Sequence, residues 1–217
     1  MRNWLSKLTL ILSLSLIPAN FVQAKLTLEN LCQERLVYLA DAWGTSKPDA
    51  KITIEMEILT ETHYQASIKT NIDKLLFHTY YFNTISKGKI VDGKLIPEAT
   101  IIDAKYPYFL LGTKKINETK TWNETGAEDF LTMFYNLRLS GLKEGHMKKK
   151  VYYGGCMVTI GGDITPENGI LKISLNYTNC ENETTNYTLN VDSEMTPLRI
   201  EKENGFWFNF NGWLKGD

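Results

Sequence analysis

The fold is decided by the stretch Lys51-Ile52-Thr53-Ile54-Glu55-Met56-Glu57-Ile58. Apolar side chains occupy every second position from Ile52 to Ile58, and polar side chains fill the gaps. Because successive residues of a β-strand point to opposite faces, a period of two predicts a strand with one buried face and one solvated face. The sequence on both sides repeats this kind of pattern, so the chain is predicted to be mainly β.

Nine further segments have an extended pattern and are predicted to form strands. Dipeptides typical of turns separate several of them, and because such short loops join antiparallel neighbours, one antiparallel meander is the expected topology. The segments are 36–43, 63–70, 75–85, 95–103, 151–160, 170–177, 185–191, 198–202 and 206–210, and the turn dipeptides are Lys87-Gly88, Asp92-Gly93, Gly161-Gly162, Asn168-Gly169 and Asn204-Gly205.

One segment departs from the extended pattern. Between residues 125 and 140, Phe130, Phe134 and Leu137 recur at helical spacing, and Thr125 with Glu128 three residues later forms a capping box. The sequence therefore predicts one amphipathic helix. This helix either covers an apolar face of the sheet or closes a cavity as a lid.

The aromatic content of 12% supplies more bulk than a thin sheet requires. We expect the meander to curl into a barrel-like or half-barrel sheet with one amphipathic helix, so that its inward side chains surround the centre. Two interpretations stay open, an ordinary core of sheet and helix or a curved sheet that encloses an apolar cavity. On the second interpretation the cavity is lined by Ile52, Ile54, Met56 and Tyr81 from the strands and by Phe130, Phe134 and Leu137 from the helix.

The N-terminus has the three regions of a secretory signal peptide. Arg2 and Lys7 give a positive start, residues 8–17 form an apolar run, and Val22-Gln23-Ala24 offers a cleavage site after Ala24. A run of about ten residues is too short for a bilayer core that needs roughly 20, so no stable membrane span is expected once the leader is removed. We expect residues 1–24 to be a signal peptide and residues 25–217 to be a single β-rich domain.

Export to an oxidising compartment would allow the cysteines to pair. A hairpin turning at residues 166–169 would bring Cys156 and Cys180 opposite each other, which predicts a disulfide between them. The alternative is three free buried thiols. Five Asn-x-Thr tripeptides also match the glycosylation acceptor, which keeps a eukaryotic secreted protein open.

No constellation for chemistry is apparent in the sequence. The three histidines are isolated, no Cys-x-x-Cys or Gly-x-Ser-x-Gly motif occurs, and Glu55 and Glu57 lie on the solvated face of their strand. We therefore expect no metal, no cofactor and no catalytic residue. The net charge of −1 gives no reason to expect nucleic acid, and the run Lys148-Lys149-Lys150 is interpreted as a solvated turn before a strand.

Several motifs in order resemble a family of exported bacterial proteins known as domain of unknown function 3108. They are Arg35-Leu36-Val37-Tyr38 with Trp43-Gly44, Ser86-Lys87-Gly88-Lys89-Ile90, Asp92-Gly93-Lys94-Leu95-Ile96-Pro97, Asp129-Phe130-Leu131 with Phe134-Tyr135-Asn136-Leu137-Arg138, and Thr196-Pro197-Leu198-Arg199-Ile200-Glu201. The resemblance implies an envelope location in a Gram-negative bacterium and a mainly antiparallel β fold, without an established activity. The cysteines at 156 and 180 and the Asn-rich stretch 176–186 depart from the family pattern.

Together these observations predict a periplasmic protein of the cell envelope that is not an enzyme. Its expected partner is an apolar or amphipathic, lipid-like small molecule held in the curved sheet. The alternatives are a structural or protein-interaction module that contacts another envelope protein, and a hydrolase that acts on envelope glycans.

Overall fold

The computed structural model describes ten ranges of the chain, which are 26–32, 34–41, 50–75, 78–108, 112–122, 128–153, 156–178, 182–192, 196–202 and 207–213. Thirteen strands in these ranges form one sheet, accompanied by two helices. The predicted leader, residues 1–24, lies outside the described residues.

Two meanders make up the sheet. Strands β1 to β6 pair consecutively, β8 to β13 do the same, and β13 pairs with β1 to join them, while the short β7 pairs in parallel with β8. The strands are β1 Glu34–Asp41, β2 Ala50–Thr60, β3 His63–Leu75, β4 His78–Val91, β5 Lys94–Tyr108, β6 Gly112–Thr121, β7 Glu128–Asp129, β8 Gly145–Tyr153, β9 Cys156–Glu167, β10 Ile170–Thr178, β11 Thr184–Val191, β12 Pro197–Lys202 and β13 Trp207–Trp213; the helices are α1 Leu28–Leu31 and α2 Phe130–Ser140.

The sheet curls until its two ends meet. Tyr152 of β8 is buried in one apolar cluster with Ile102 and Ala104 of β5. Its ring centroid lies 5.4 Å from that of Trp122, which follows β6, in an edge-to-face arrangement. We call β1 to β6 the half-barrel and β7 to β13 the second half. The predicted fold class, a mainly β chain whose antiparallel meander curls into a barrel-like or half-barrel sheet with an amphipathic helix, is confirmed.

Two of the five predicted turns are confirmed. Asp92-Gly93 joins β4 to β5, Asn168-Gly169 joins β9 to β10, and all four residues have positive φ angles, as tight hairpin turns require. The prediction for Lys87-Gly88 is wrong, because this dipeptide lies inside β4 at a register shift, where a Cβ on Gly88 would come within 2.0 Å of the Ile96 carbonyl oxygen. That close approach, rather than a turn, requires the glycine.

The remaining turn predictions are wrong or lie outside the described residues. Gly161-Gly162 also lies inside a strand, β9, so its assignment as a turn is wrong. Asn204-Gly205 lies outside the described residues. The predicted strand 151–160 is in fact parts of two strands, β8 and β9, and the lysine run 148–150 lies within β8 instead of forming a turn.

Two further differences concern β6 and α2. Strand β6 has no clear apolar alternation and was not predicted, because it is an edge strand whose side chains are mostly exposed. Helix α2 begins at Phe130, later than predicted, since Glu128 and Asp129 form β7 and Asp129 is the N-cap. Thr125, the other half of the expected capping box, lies outside the described residues.

Candidate functional site

Helix α2 lies between the half-barrel and the second half of the sheet. The Asp129 carboxylate starts it by accepting a hydrogen bond of 2.8 Å from the Thr132 backbone N–H, and Gly141 with φ of 75° follows its last residue. Its buried residues face more than one direction, so sheet covers it on more than one side. These residues are Leu131, Thr132, Met133, Tyr135, Arg138 and Leu139.

A cluster of three hydroxyl groups connects the first turn of α2 to strands β3 and β4 of the half-barrel. The hydroxyl of Thr132 lies 2.7 Å from that of Tyr64 on β3 and 3.1 Å from that of Ser86 on β4. All three side chains are buried. Burial raises the pKa of Tyr64, so this hydroxyl stays protonated and can donate throughout the physiological range.

Two more hydrogen-bonded contacts tie α2 to β5. The hydroxyl of Thr100 donates to the Asp129 carboxylate at 2.7 Å and accepts from the Trp122 indole at 2.9 Å. Farther along the helix, the Asn136 amide accepts from the backbone N–H of Leu95 at 2.9 Å and donates to its carbonyl at 2.8 Å. The Asn136 side chain thus bonds both backbone groups of Leu95, as the backbone of a neighbouring strand would.

A buried ion pair holds the C-terminal turn of α2. The Arg138 guanidinium forms two parallel hydrogen bonds with the Glu34 carboxylate of β1, one of them 2.8 Å long, and both side chains are at most 3% exposed. The rings of Phe134 and Tyr135 lie 5.4 and 5.7 Å from the guanidinium carbon. Burial raises the pKa of Tyr135 well above its usual value, and the Glu34 carboxylate raises it further while Arg138 lowers it.

A small cavity lies beneath the first turn of α2. Its volume of about 10 Å³ gives room for about one water molecule. The Thr84 hydroxyl in its wall is buried and has no hydrogen-bond partner in the described part of the chain. The lining residues are Ile68, Thr84, Thr100, Ile102, Phe130, Leu131 and Tyr152.

Most of the residues predicted to line a cavity are inside the fold. Ile52, Ile54 and Met56 are buried in one cluster, and Phe134 packs against it. Phe130 and Leu137 pack against a neighbouring cluster built on Met133 and three residues of β8 and β9. The structure thus divides the predicted helix face between two cores. Of the predicted lining residues, Phe130 borders the small cavity, whereas Ile52, Ile54 and Met56 do not.

Tyr81 is placed differently from the prediction. Ile52 pairs with Thr70, and Thr70 pairs with Phe82, so these three residues share the inner face of the half-barrel. Because neighbouring residues of a strand point to opposite faces, Tyr81 lies on the outer face, where its hydroxyl donates to Asp103 at 3.3 Å. The expectation that Tyr81 lines the interior is wrong.

The cysteines differ in state. Cys156 is disulfide-bonded, whereas Cys32 is a free and exposed thiol. Cys180 lies outside the described residues, so its pairing with Cys156 stays a prediction. The register of the β9–β10 hairpin supports that pairing, since Thr159 opposes Thr178 a few residues from both cysteines. Peptide mapping without reduction would identify the partner.

Sequence reasoning missed the polar contacts of α2. One available signal was Asp129 followed by Thr132 at the start of an apolar segment, which is typical of a helix N-cap. A second was Arg138 among apolar helix residues, which suggests a buried charge with a partner elsewhere. Nothing in the sequence identifies Glu34 as that partner.

Within the described ranges, neither helix is both long and apolar enough to cross a bilayer. The same ranges contain no group of three or more His, Cys, Asp or Glu side chains placed to hold a metal ion.

No family model matches the chain, and no curated protein matches it. The crystal structure of the beta-barrel-like protein of domain of unknown function DUF1849 from Brucella abortus is similar at 10% sequence identity and a TM-score of 0.41, covering 85% of this chain and 97% of that chain. A likeness of this size says nothing about function. Membership in the domain of unknown function 3108 family stays a prediction.

Proposed function

We propose that this chain is an exported, periplasmic protein of the cell envelope that binds an apolar or amphipathic molecule between the half-barrel and α2, without catalysing a reaction. The observation that supports binding at this place is the cavity beneath α2. Its walls are mainly apolar, and they include Thr84, whose hydroxyl is buried and finds no hydrogen-bond partner among the described residues. Apolar walls with a few placed polar groups are typical of small-molecule sites.

The size of the cavity requires that α2 moves when a ligand binds. Small-molecule sites usually occupy about 300 to 1,000 Å³, far more than the volume beneath the helix. Hydrogen bonds attach α2 to the half-barrel at Thr132 and Asn136, and water can replace such bonds, whereas the buried ion pair of Arg138 and Glu34 holds the C-terminal turn. We therefore assign the first turn of α2 the role of a lid that a ligand displaces while the C-terminal turn stays attached to β1.

The export part of the proposal rests on the leader-like residues 1–24 and on the resemblance to an exported family. It predicts that protein secreted by its native host begins at Lys25. Intact-mass measurement of the exported fraction checks this, and a retained Met1 in that fraction would contradict it.

The binding part is tested by titrating the full chain with a fluorescent fatty-acid probe. Phe134→Asp places a charge where α2 packs against the half-barrel, and we expect it to abolish uptake of the probe. Val91→Asp makes the same kind of change at a side chain that is 44% exposed, and it should leave uptake unchanged. Circular dichroism establishes that both variants fold.

A gentler variant separates binding from folding. Thr84→Val keeps the shape of the side chain but removes the hydroxyl, so the affinity for the probe should fall about tenfold, which is the worth of one good hydrogen bond. If the unsubstituted protein binds no probe, the carrier function fails.

A further inference from the structure

Strand β6 lies at one end of the sheet that the described residues form. It is ten residues long and pairs with β5 along its whole length. In the described part of the chain, no other strand pairs with it. Its second edge therefore presents backbone N–H and C=O groups to which another extended chain can bind.

The side chains of β6 are strongly basic. Lys114, Lys115 and Lys120 are exposed, and Glu118 is the one acidic residue of the strand. The ion pairs formed among the described residues involve none of these three lysines. In a chain whose net charge is −1, this edge is a local concentration of unneutralised positive charge.

Exposed lysines also lie on β8, near the opposite end of the sheet. Lys148 and Lys150 of β8 are exposed and share a strand face with Tyr152, since residues two apart point the same way. Tyr152 contacts Trp122, and the Lys120 ammonium lies 5.8 Å from the centre of the Trp122 ring. Lys120 of β6 thus lies beside the contact between the two ends of the sheet.

The charge determines what can pair with this edge. A second copy of β6 would bring lysines against lysines, and like charges placed opposite each other destabilise a strand pair. An acidic segment avoids this repulsion and meets lysines on both faces, because Lys114 and Lys120 point to one side and Lys115 to the other. We propose that the free edge of β6 binds an extended acidic segment of a partner protein, which adds a strand to the sheet.

The test uses the full chain and a blocked ten-residue peptide that alternates glutamate and valine, with binding followed by fluorescence anisotropy. We expect binding at low salt that weakens as salt screens the charges. The same peptide with every backbone nitrogen methylated keeps its charges but loses the donors of both its edges, and it should bind about tenfold more weakly, as the loss of backbone hydrogen bonds predicts. Equal binding of both peptides would overturn strand pairing.

Charge variants test the place of binding. Lys114→Glu, Lys115→Glu and Lys120→Glu together should weaken binding of the acidic peptide at least about tenfold and create binding of a peptide that alternates lysine and valine.

The matched control reverses the same number of charges at exposed lysines on other strands, as Lys51→Glu, Lys87→Glu and Lys94→Glu. It should stay within about twofold of the unsubstituted protein, because none of these lysines is on β6. Equal losses in both triple variants, or no binding by the unsubstituted chain, would overturn the proposal. If the β6 variant does not fold, the methylated peptide still decides the question.

Discussion

The two sides of α2 are held by different kinds of contact. Towards β8 and β9 of the second half, Met133 packs with Val151, Val158 and Ile160 in an apolar cluster. Towards the half-barrel, apolar packing is joined by the ion pair of Arg138 and by the hydrogen bonds of the other polar helix residues. Apolar contacts tolerate small shifts, whereas hydrogen bonds demand a particular geometry. The difference indicates that the half-barrel fixes the position of the helix in the absence of a ligand and that β8 and β9 mainly add stability.

The largest effect is expected from breaking the buried ion pair. Arg138→Met leaves the Glu34 carboxylate buried without a counter-charge, and the free energy of unfolding in urea should fall by about 3–5 kcal/mol. The double variant Glu34→Leu with Arg138→Met removes both charges, and it should recover most of that loss. If the double variant is as unstable as the single one, the charge pair does not explain the effect.

The apolar side is tested by truncating its central residue. Met133→Ala should lower the free energy of unfolding by about 2–4 kcal/mol, because the side chain is 5% exposed and its removal leaves a cavity. Met157→Ala makes the same change at a side chain that is 47% exposed, and it should cost at most about 0.5 kcal/mol. Similar costs in the two variants would contradict the role given to this cluster.

A smaller loss is expected at the hydroxyl cluster. Thr132→Val keeps the volume of the side chain but removes the group that contacts Tyr64 and Ser86, so the free energy of unfolding should fall by about 1–2 kcal/mol. Thr119→Val on the exposed part of β6 serves as the control and should be nearly neutral. A neutral Thr132→Val would show that the polar contacts do not fix the helix.

The smallest effect has the opposite sign. Thr84→Val replaces a buried hydroxyl that has no partner in the described ranges, so it should raise the free energy of unfolding by about 1 kcal/mol while it weakens the binding of an amphipathic ligand. Thr84→Ser keeps the hydroxyl and should give no gain. A loss of stability in Thr84→Val would mean that the hydroxyl is already satisfied.

Local patterns predicted those parts of the fold that depend on neighbouring residues. The alternation from Ile52 to Ile58 identified β2, and Asp92-Gly93 and Asn168-Gly169 identified two hairpin turns. The same rules failed for Gly88, because a close approach to the next strand is invisible in a single segment. They also failed for β6, because an exposed edge strand needs no apolar alternation.

The candidate site was predictable in part. The apolar alternation placed Ile52, Ile54 and Met56 on a buried face, and the helical spacing placed Phe134 on a helix that covers it. The position of Tyr81 depended on which alternate residues of β4 face inward. The pairing with β3 decides which residues of β4 face inward, so the sequence of β4 alone could not show it.

The sequence by itself determined the mainly β character of the chain, several strand segments, two hairpin turns and one longer helix, because each depends on residues within a few positions of one another. Only the tertiary structure decided that the sheet curls until Tyr152 meets Trp122, and that Arg138 pairs with Glu34 across 104 positions of sequence. The burial of that pair and the free edge of β6 follow from which strands become neighbours. Which strands become neighbours depends on the packing of the whole chain, and no pattern within a short segment shows it.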